Sequence, residues 1–364
     1  MAFAFIKHDT KIDFIGKRHI AYAISILLLL VGLGSALWGN GLRMGIDFAG
    51  GVIVQVQFAQ PVEDEVLKKS LDVPELPGIS TQRFGEGTRD YLLRFSSAEN
   101  TDAAALRTNV LTALAKAFPG NDVEIQRLEM VGPKVGDDLT NKALGALYYA
   151  TLLIAVYISG RFEQRWMAGV AMAAVLWGGM YLAGLTGLSM GWLVLVALGI
   201  TLVVCFVLKL NFALGALVGL IHDVFITVGL LSLMGVEIDL NVMAALLTLV
   251  GYSLNDTIIV YDRLRENLRA APKQPLDALI NRSVNQTLSR TILTSGTTFV
   301  ATLALYLLGV SHDFALPMLI GVFVGTASSI YVSSAVLLAL GDTEFYVHQQ
   351  ERPVYEKPGE HGIV

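Results

Sequence analysis

Asp256 stands inside the apolar run Asn241–Tyr261. A carboxylate at membrane depth is costly unless it is paired, hydrated or protonated, so an acid in this setting is suited to carrying a proton. Desolvation disfavours a carboxylate's charge and a nearby cation favours it, so a moving cation would switch such a group's proton affinity. The surroundings are polar as well: Asn255 adjoins the acid, Ser253 and Thr257 are near, and Tyr252 lies one turn back. The plainer reading is a polar contact between helices, but Asn or Ser would serve that without burying a charge. A second polar pair, His222-Asp223, falls near the middle of another apolar run. Neighbouring helical residues point about 100° apart, so the two cannot face one partner equally. A proton relay to Asp256 and a structural pairing with a nearby Thr, Asn or Arg both stay open. Arg290 opens a third run, followed by Thr291, Thr294, Ser295, Thr297 and Thr298. An arginine at a span end ordinarily snorkels to the surface. So many hydroxyls, however, suggest a hydrated or tightly packed helix face.

Other chemistries find little support. The six histidines show no pair at metal-ligand spacing, and His222 with Asp223 would supply only two zinc ligands. Cys205 is the single cysteine, so no internal disulfide is possible. There is no nucleotide-binding glycine loop and no Gly-x-Ser-x-Gly setting for a serine nucleophile. A net charge of −5 without a basic face argues against a nucleic-acid partner. No cofactor is expected other than a proton as coupling ion, and the chain reads as a transport device, not an enzyme.

The elements that must position these residues are membrane spans. The chain has 364 residues, 54% hydrophobic and 16% charged, against about 25% charged in soluble domains. Apolar runs place spans at about 20–38, 143–159, 167–187, 190–208, 212–234, 241–261, 291–309 and 315–340. The first lacks a small-x-small cleavage site and is read as an uncleaved anchor after a cytoplasmic segment 1–19. Basic residues precede span 1 (Lys7, Lys11, Lys17, Arg18), follow span 2 (Arg161, Arg165) and span 4 (Lys209), and crowd the expected loop between spans 6 and 7 (Arg263 to Arg290). The positive-inside rule then puts both termini in the cytoplasm, including the tail 341–364, and segment 40–140 outside. That segment reads β-α-β-β-α-β, with strands at Val52–Phe58, Ser80–Phe84, Asp90–Phe95 and Asp122–Met130, a turn at Gly85–Gly87, and helices at Glu63–Leu71 and Thr101–Phe118. This is the order of a ferredoxin-like unit. The expected class is an α-helical polytopic membrane protein with a small α+β external domain, followed by a bundle over 143–340. Asp256 would lie about 22 Å down its helix at 1.5 Å per residue.

Several stretches together resemble the SecD/SecF protein-export family of the resistance–nodulation–division (RND) superfamily, on its SecF side. They are Gly45-Ile-Asp47-Phe-Ala-Gly50-Gly51, Val131–Gly136, Gly160-Arg-Phe-Glu163, His222-Asp223, Glu237–Asn241 through Gly251–Asp256 to Asn267, Gln286–Thr291, Thr294-Ser295-Gly-Thr-Thr298 and Gly325–Tyr331. The resemblance implies a location in the bacterial inner membrane among its lipids and a companion subunit, SecD. It further implies a place beside the SecYEG channel, a translocating preprotein as client, and external domains moved by the proton motive force. It assigns proton conduction to the positions of Asp256 and Arg290. One departure stands out: the family pattern passes directly from Arg-Phe-Glu to the His-Asp span, whereas here residues 167–208 intervene. An even number of added spans preserves the later orientation, so eight spans are expected, with the extra pair peripheral and lipid-facing. On this reading a proton neutralises Asp256 and loosens its attraction to Arg290, with His222 or Asp223 on the route and Asn255 beside it. The alternatives are an RND-type exporter of small molecules or lipids, and a passive scaffold of the channel.

Overall fold

The computed structural model describes residues 10–38, 41–71, 79–83, 89–95, 103–163, 166–185, 187 and 189–341. The turn at Gly85–Gly87, the basic residues Lys7 and Arg165, and all but the first residue of the tail 341–364 lie outside them. The chain divides into two units, one made of Leu42–Leu144 with Glu237–Leu240 and the other of the remainder.

The first is a sheet unit. It contains α2 (Ile46–Ala49), β1 (Gly51–Phe58), α3 (Asp64–Ser70), β2 (Ser80–Arg83), β3 (Asp90–Phe95), α4 (Ala103–Ala117) and β4 (Val123–Val131). The expected β-α-β-β-α-β order is present, and the four strands lie β2-β3-β1-β4 with antiparallel pairing throughout. Alternation explains the packing. Val52, Val54, Val56 and Phe58 of β1 are buried on one face, and Tyr91, Leu93 and Phe95 of β3 join them. Helices α3 and α4 cover that face with Leu67, Leu106, Val110 and Leu114, each contributing about 1.5–3 kcal/mol if fully buried. Phe58 meets Tyr91 and Phe118 edge-on, with ring centroids 5.9 and 5.3 Å apart. Pro119 and Gly120, the latter at φ +88°, stop α4.

The second unit is helical. It contains α1 (Arg18–Trp38), most of α5 (Pro133–Glu163), α6 (Trp166–Gly184), α7 (Met190–Val207), α8 (Asn211–Leu233), nearly all of α9 (Leu240–Ala270), α10 (Leu276–Leu307), α11 (His312–Ser328), a π-helical turn at Ser329–Ser333, and α12 (Ser334–Leu340). Six candidate spans, among the described residues, are long and apolar enough to cross a membrane. The helices expected at 167–187 and 291–309 also form, as α6 and within α10, but are not among those six. Small residues bring the central helices together. A Cβ on Gly32 of α1 would come within 2.8 Å of Gly229 in α8, and one on Gly321 of α11 would strike the methyl groups of Leu249 in α9.

The connection expected as a basic loop between spans 6 and 7 is mostly helix, because α9 and α10 each extend well past their apolar runs. Leu264 and Leu268 on α9, with Leu279, Ile280, Val284 and Leu288 on α10, keep a buried stripe at helical spacing after overall hydropathy has fallen. The Asn267 side-chain amide donates to Ser283 Oγ at 2.8 Å between these extensions. The extra pair α6–α7 leaves the ends of its neighbours joined. Glu163, the last residue of α5, accepts the Phe212 N–H at the start of α8 at 2.9 Å. Phe162 stacks on Phe212 at 5.4 Å, and Tyr261 of α9 meets both edge-on. The pair buries Met172, Leu176 and Cys205 while exposing Trp177, Trp192 and Phe206.

Candidate functional site

Four helices of the helical unit contribute to two buried acids. On α9, Ser253 and Asp256 are three residues apart and share a face. On α11, Thr326 and Ser328 face the same region, α8 supplies His222 and Asp223, and α10 supplies Thr294 and Ser295.

Asp223 is fully buried and densely bonded. Ser253 and Ser328 both donate to its Oδ2, the latter at 2.7 Å, and His222 Nδ1 lies 2.9 Å from Oδ1. The two neighbours that could not share an outside partner instead bond to each other. His222 Nε2 has no hydrogen-bond partner among the described residues. Glycine lets α11 pack close to the cluster: a Cβ on Gly325 would sit 3.4 Å from Asp223 Oδ2 and, tightly, 3.3 Å from Ser253 Cβ.

Asp256 is equally hidden, at 2% exposure, yet more sparsely held. Ser295 donates to its Oδ2 at 2.9 Å. Thr294 lies 3.4 Å from Oδ1, but its single hydroxyl proton has carbonyl acceptors at 3.0 Å on Arg290 and Thr291. Oδ1 therefore lacks a short donor among the described residues. Thr326 donates to Ser295 Oγ at 2.8 Å and shares that proton with the Val322 carbonyl at 2.7 Å. Hydroxyls of α11 thus stand near both acids, Ser328 on Asp223 and Thr326 behind the Ser295 that bonds Asp256.

Two expected partners sit elsewhere. Arg290 is exposed and forms no ion pair with Asp256 among the described residues; its charge acts on the carboxylate only through space. One turn N-terminal to Thr294, it projects from the polar half of α10. Asn255 is exposed too, because a residue next to Asp256 is turned about 100° off its face. Ser328 proves to be a ligand of Asp223, and Thr326 stands behind Ser295, the donor to Asp256. The cue was hydroxyls within four residues of Gly321-x-x-x-Gly325, a close-approach motif that sets them against a neighbouring helix.

The glycine-rich motif lies in the sheet unit. Gly50 and Gly51 adopt φ of +70° and +130°, which favour glycine. A Cβ on Gly50 would meet Pro133 at 3.0 Å, and one on Gly51 the Phe95 carbonyl at 3.2 Å. Gly45 donates its N–H to the Ile238 carbonyl at 2.8 Å, and Asp47 Oδ2 accepts the Leu240 N–H at 3.0 Å. No group of three or more metal-ligating side chains occurs among the described residues.

Comparison with known proteins places the chain in a family. Residues 110–188 and 186–343 match the family described as protein export membrane protein SecD/SecF, C-terminal, and residues 35–62 match the SecD/SecF GG motif. The chain is 40% identical over 335 residues to the protein translocase subunit SecF of Magnetococcus marinus, covering 91% of this chain and 92% of that one. It is 36% identical over 351 residues to SecF of Escherichia coli O157:H7, covering 95% and 93%. A crystal structure of SecDF from Thermus thermophilus, a translocon-associated membrane protein, superposes with a TM-score of 0.68 at 30% identity. The match covers 93% of this chain and 40% of that longer chain, so the present protein spans about two fifths of it. With its buried acids, its motif glycines and relatives matched over nearly their whole length, this multi-pass membrane protein belongs to the SecD/SecF protein-export family.

Proposed function

We propose that the chain is an auxiliary subunit of the bacterial Sec preprotein translocase, coupling the proton motive force to late steps of export. The supporting observation is the pair of unequal buried acids: among the described residues Asp256 has one short donor, Ser295 on α10, whereas hydroxyls of α9 and α11 and a histidine nitrogen converge on Asp223. A buried carboxylate with spare acceptor capacity is suited to change charge. Each elementary charge crossing the membrane is worth about 2.3 kcal/mol per 100 mV. Arg290 would act from its exposed position as a long-range electrostatic partner, and His222, with one nitrogen on Asp223, as a relay.

In this reading the strand order and antiparallel pairing support a ferredoxin-like external domain at about 40–140 that works as a lever. The basic residues support cytoplasmic termini in the inner membrane. The eight-span count follows if α6 and α10 both cross. The Glu163–Phe212 bond supports α6–α7 as a peripheral, lipid-facing addition to the bundle. The working partners in this reading are SecD, the SecYEG channel and the translocating preprotein; the names of the relatives support SecD and a translocon.

The test is Asp256→Asn in inverted membrane vesicles containing SecD and the channel, with secretion and proton flux measured together. Both should fall by more than tenfold. Unchanged secretion and flux would instead favour a passive scaffold, and secretion-independent efflux of small molecules an RND-type exporter.

A further inference from the structure

The motif segment 43–47 is fastened along residues 237–240, all within the sheet unit. Ile238 donates its N–H to the Arg43 carbonyl at 2.8 Å and accepts from Gly45 N–H at 2.8 Å. Met44 and Ile238 form a parallel β-bridge. Arg94 of β3 pairs with Glu237. Gly45 fits because a Cβ there would lie 3.1 Å from that of Asp239 and 3.2 Å from the Ile238 carbonyl. The segment ends with Asp47 Oδ2 accepting the N–H of Leu240, the first residue of α9. That N–H is one of the four a helix start leaves without an internal acceptor, and a carboxylate there also faces the positive end of the helix dipole.

Helix α9 is a single 31-residue element, and Asp256 lies about 24 Å along it at 1.5 Å per residue. A helix transmits axial displacement and rotation with little loss, so whatever grips its first turn shares the movement of the acid. We propose that Asp47 is a positioning residue: with the 43–47/237–240 pairing it forms a closed joint tying the sheet unit to the helix that carries Asp256. The joint transmits the acid's change of charge as movement and does not open during the cycle. This inference rests on the proton-driven reading above.

The test uses the full chain with SecD and the channel in membrane vesicles. Asp47→Ala removes the acceptor and should lower secretion about three- to tenfold, as the loss of a helix cap implies, while proton flux persists. Asp47→Asn keeps a side-chain carbonyl at the cap and should restore most of the secretion. Full secretion with Asp47→Ala, or equal failure of Asp47→Asn and Asp47→Ala, would overturn the assignment. If Asp47→Ala does not accumulate, a Met44→Cys/Ile238→Cys pair gives a second reading, since Cys205 is buried. Oxidised and reduced forms of that double variant should secrete equally, and loss of secretion on oxidation would show that the joint opens. Asp256→Asn in the same vesicles separates the two ideas. If it leaves flux intact, the proton reading fails, whereas the cap is judged by the Asp47 variants alone.

Discussion

Asp223 and Asp256 are both acids buried in one helical unit, yet they are held in opposite ways. Asp223 has two serine donors on one oxygen and a histidine nitrogen on the other, packed close beneath Gly325. Asp256 has a single short donor, and the arginine that acts on it stands at a distance. A fully ligated carboxylate has its charge fixed by geometry, because moving any partner strands a buried polar group. A sparsely ligated one can exchange charge for a proton with little rearrangement. On the function proposed above, the contrast fits anchoring for the first acid and switching for the second.

The strongest way to break that contrast is to neutralise each acid in turn. Asp223→Asn turns one acceptor into a donor facing converging donors, and should destabilise the detergent-solubilised protein by about 1–3 kcal/mol. Asp256→Asn keeps an acceptor for Ser295 and should stay within about 1 kcal/mol of the parent in thermal unfolding, while export collapses. Equal loss of stability in both would erase the distinction.

A smaller effect is expected from Gly325→Ala, whose methyl would press on Ser253 and the Asp223 carboxylate. It should cost about 1–2 kcal/mol, at the lower end for overpacking, with export reduced in step. Ser295→Ala and Ser328→Ala sharpen the comparison further. Ser328→Ala removes the bond to Asp223, whereas Ser295→Ala removes the bond to Asp256 and the one accepted from Thr326, each worth about 1 kcal/mol. Because Ser295 is the only short donor to Asp256 among the described residues, its loss should lower export more.

Least of all should depend on Asp13, outside the spans. The Gly16 N–H first and the Asn281 amide second hold its carboxyl below the usual 3.8, with Lys17 and Arg18 adding to them. Its folded value is depressed, so its contribution is present above the unfolded value and fades as pH falls through the folded one. Asp13→Asn should flatten the acid limb of the stability profile slightly while leaving export unchanged.

Much of this was legible along the chain. The β-α-β-β-α-β order followed from period-two alternation and from turn residues such as Pro119-Gly120. Runs of apolar residues located α6, α7 and α8 to within a few residues, whereas α5 begins ten residues before its run. Where hydropathy alone was the guide, it failed at α9 and α10, whose buried stripe outlasts their apolar composition. The acids themselves were also legible, since an ionisable residue amid apolar neighbours is conspicuous in any reading. Their partners were not, because Ser253 and Ser328 lie on different helices, and the distance of Arg290 from Asp256 depends on where α10 exposes its polar half.

Composition and periodicity by themselves determined a membrane-spanning helical protein with one α+β unit and a charge where lipid would forbid an idle one. Those properties arise from local spacing and from the cost of desolvating a carboxylate. Only the tertiary structure decided which acid is saturated and which is loosely held, that Glu163 closes across α6–α7, and that Asp47 grips the start of α9. Hydrogen bonds between residues far apart in sequence depend on how helices cross and on where glycine lets them approach. Spacing along one chain does not encode those distances.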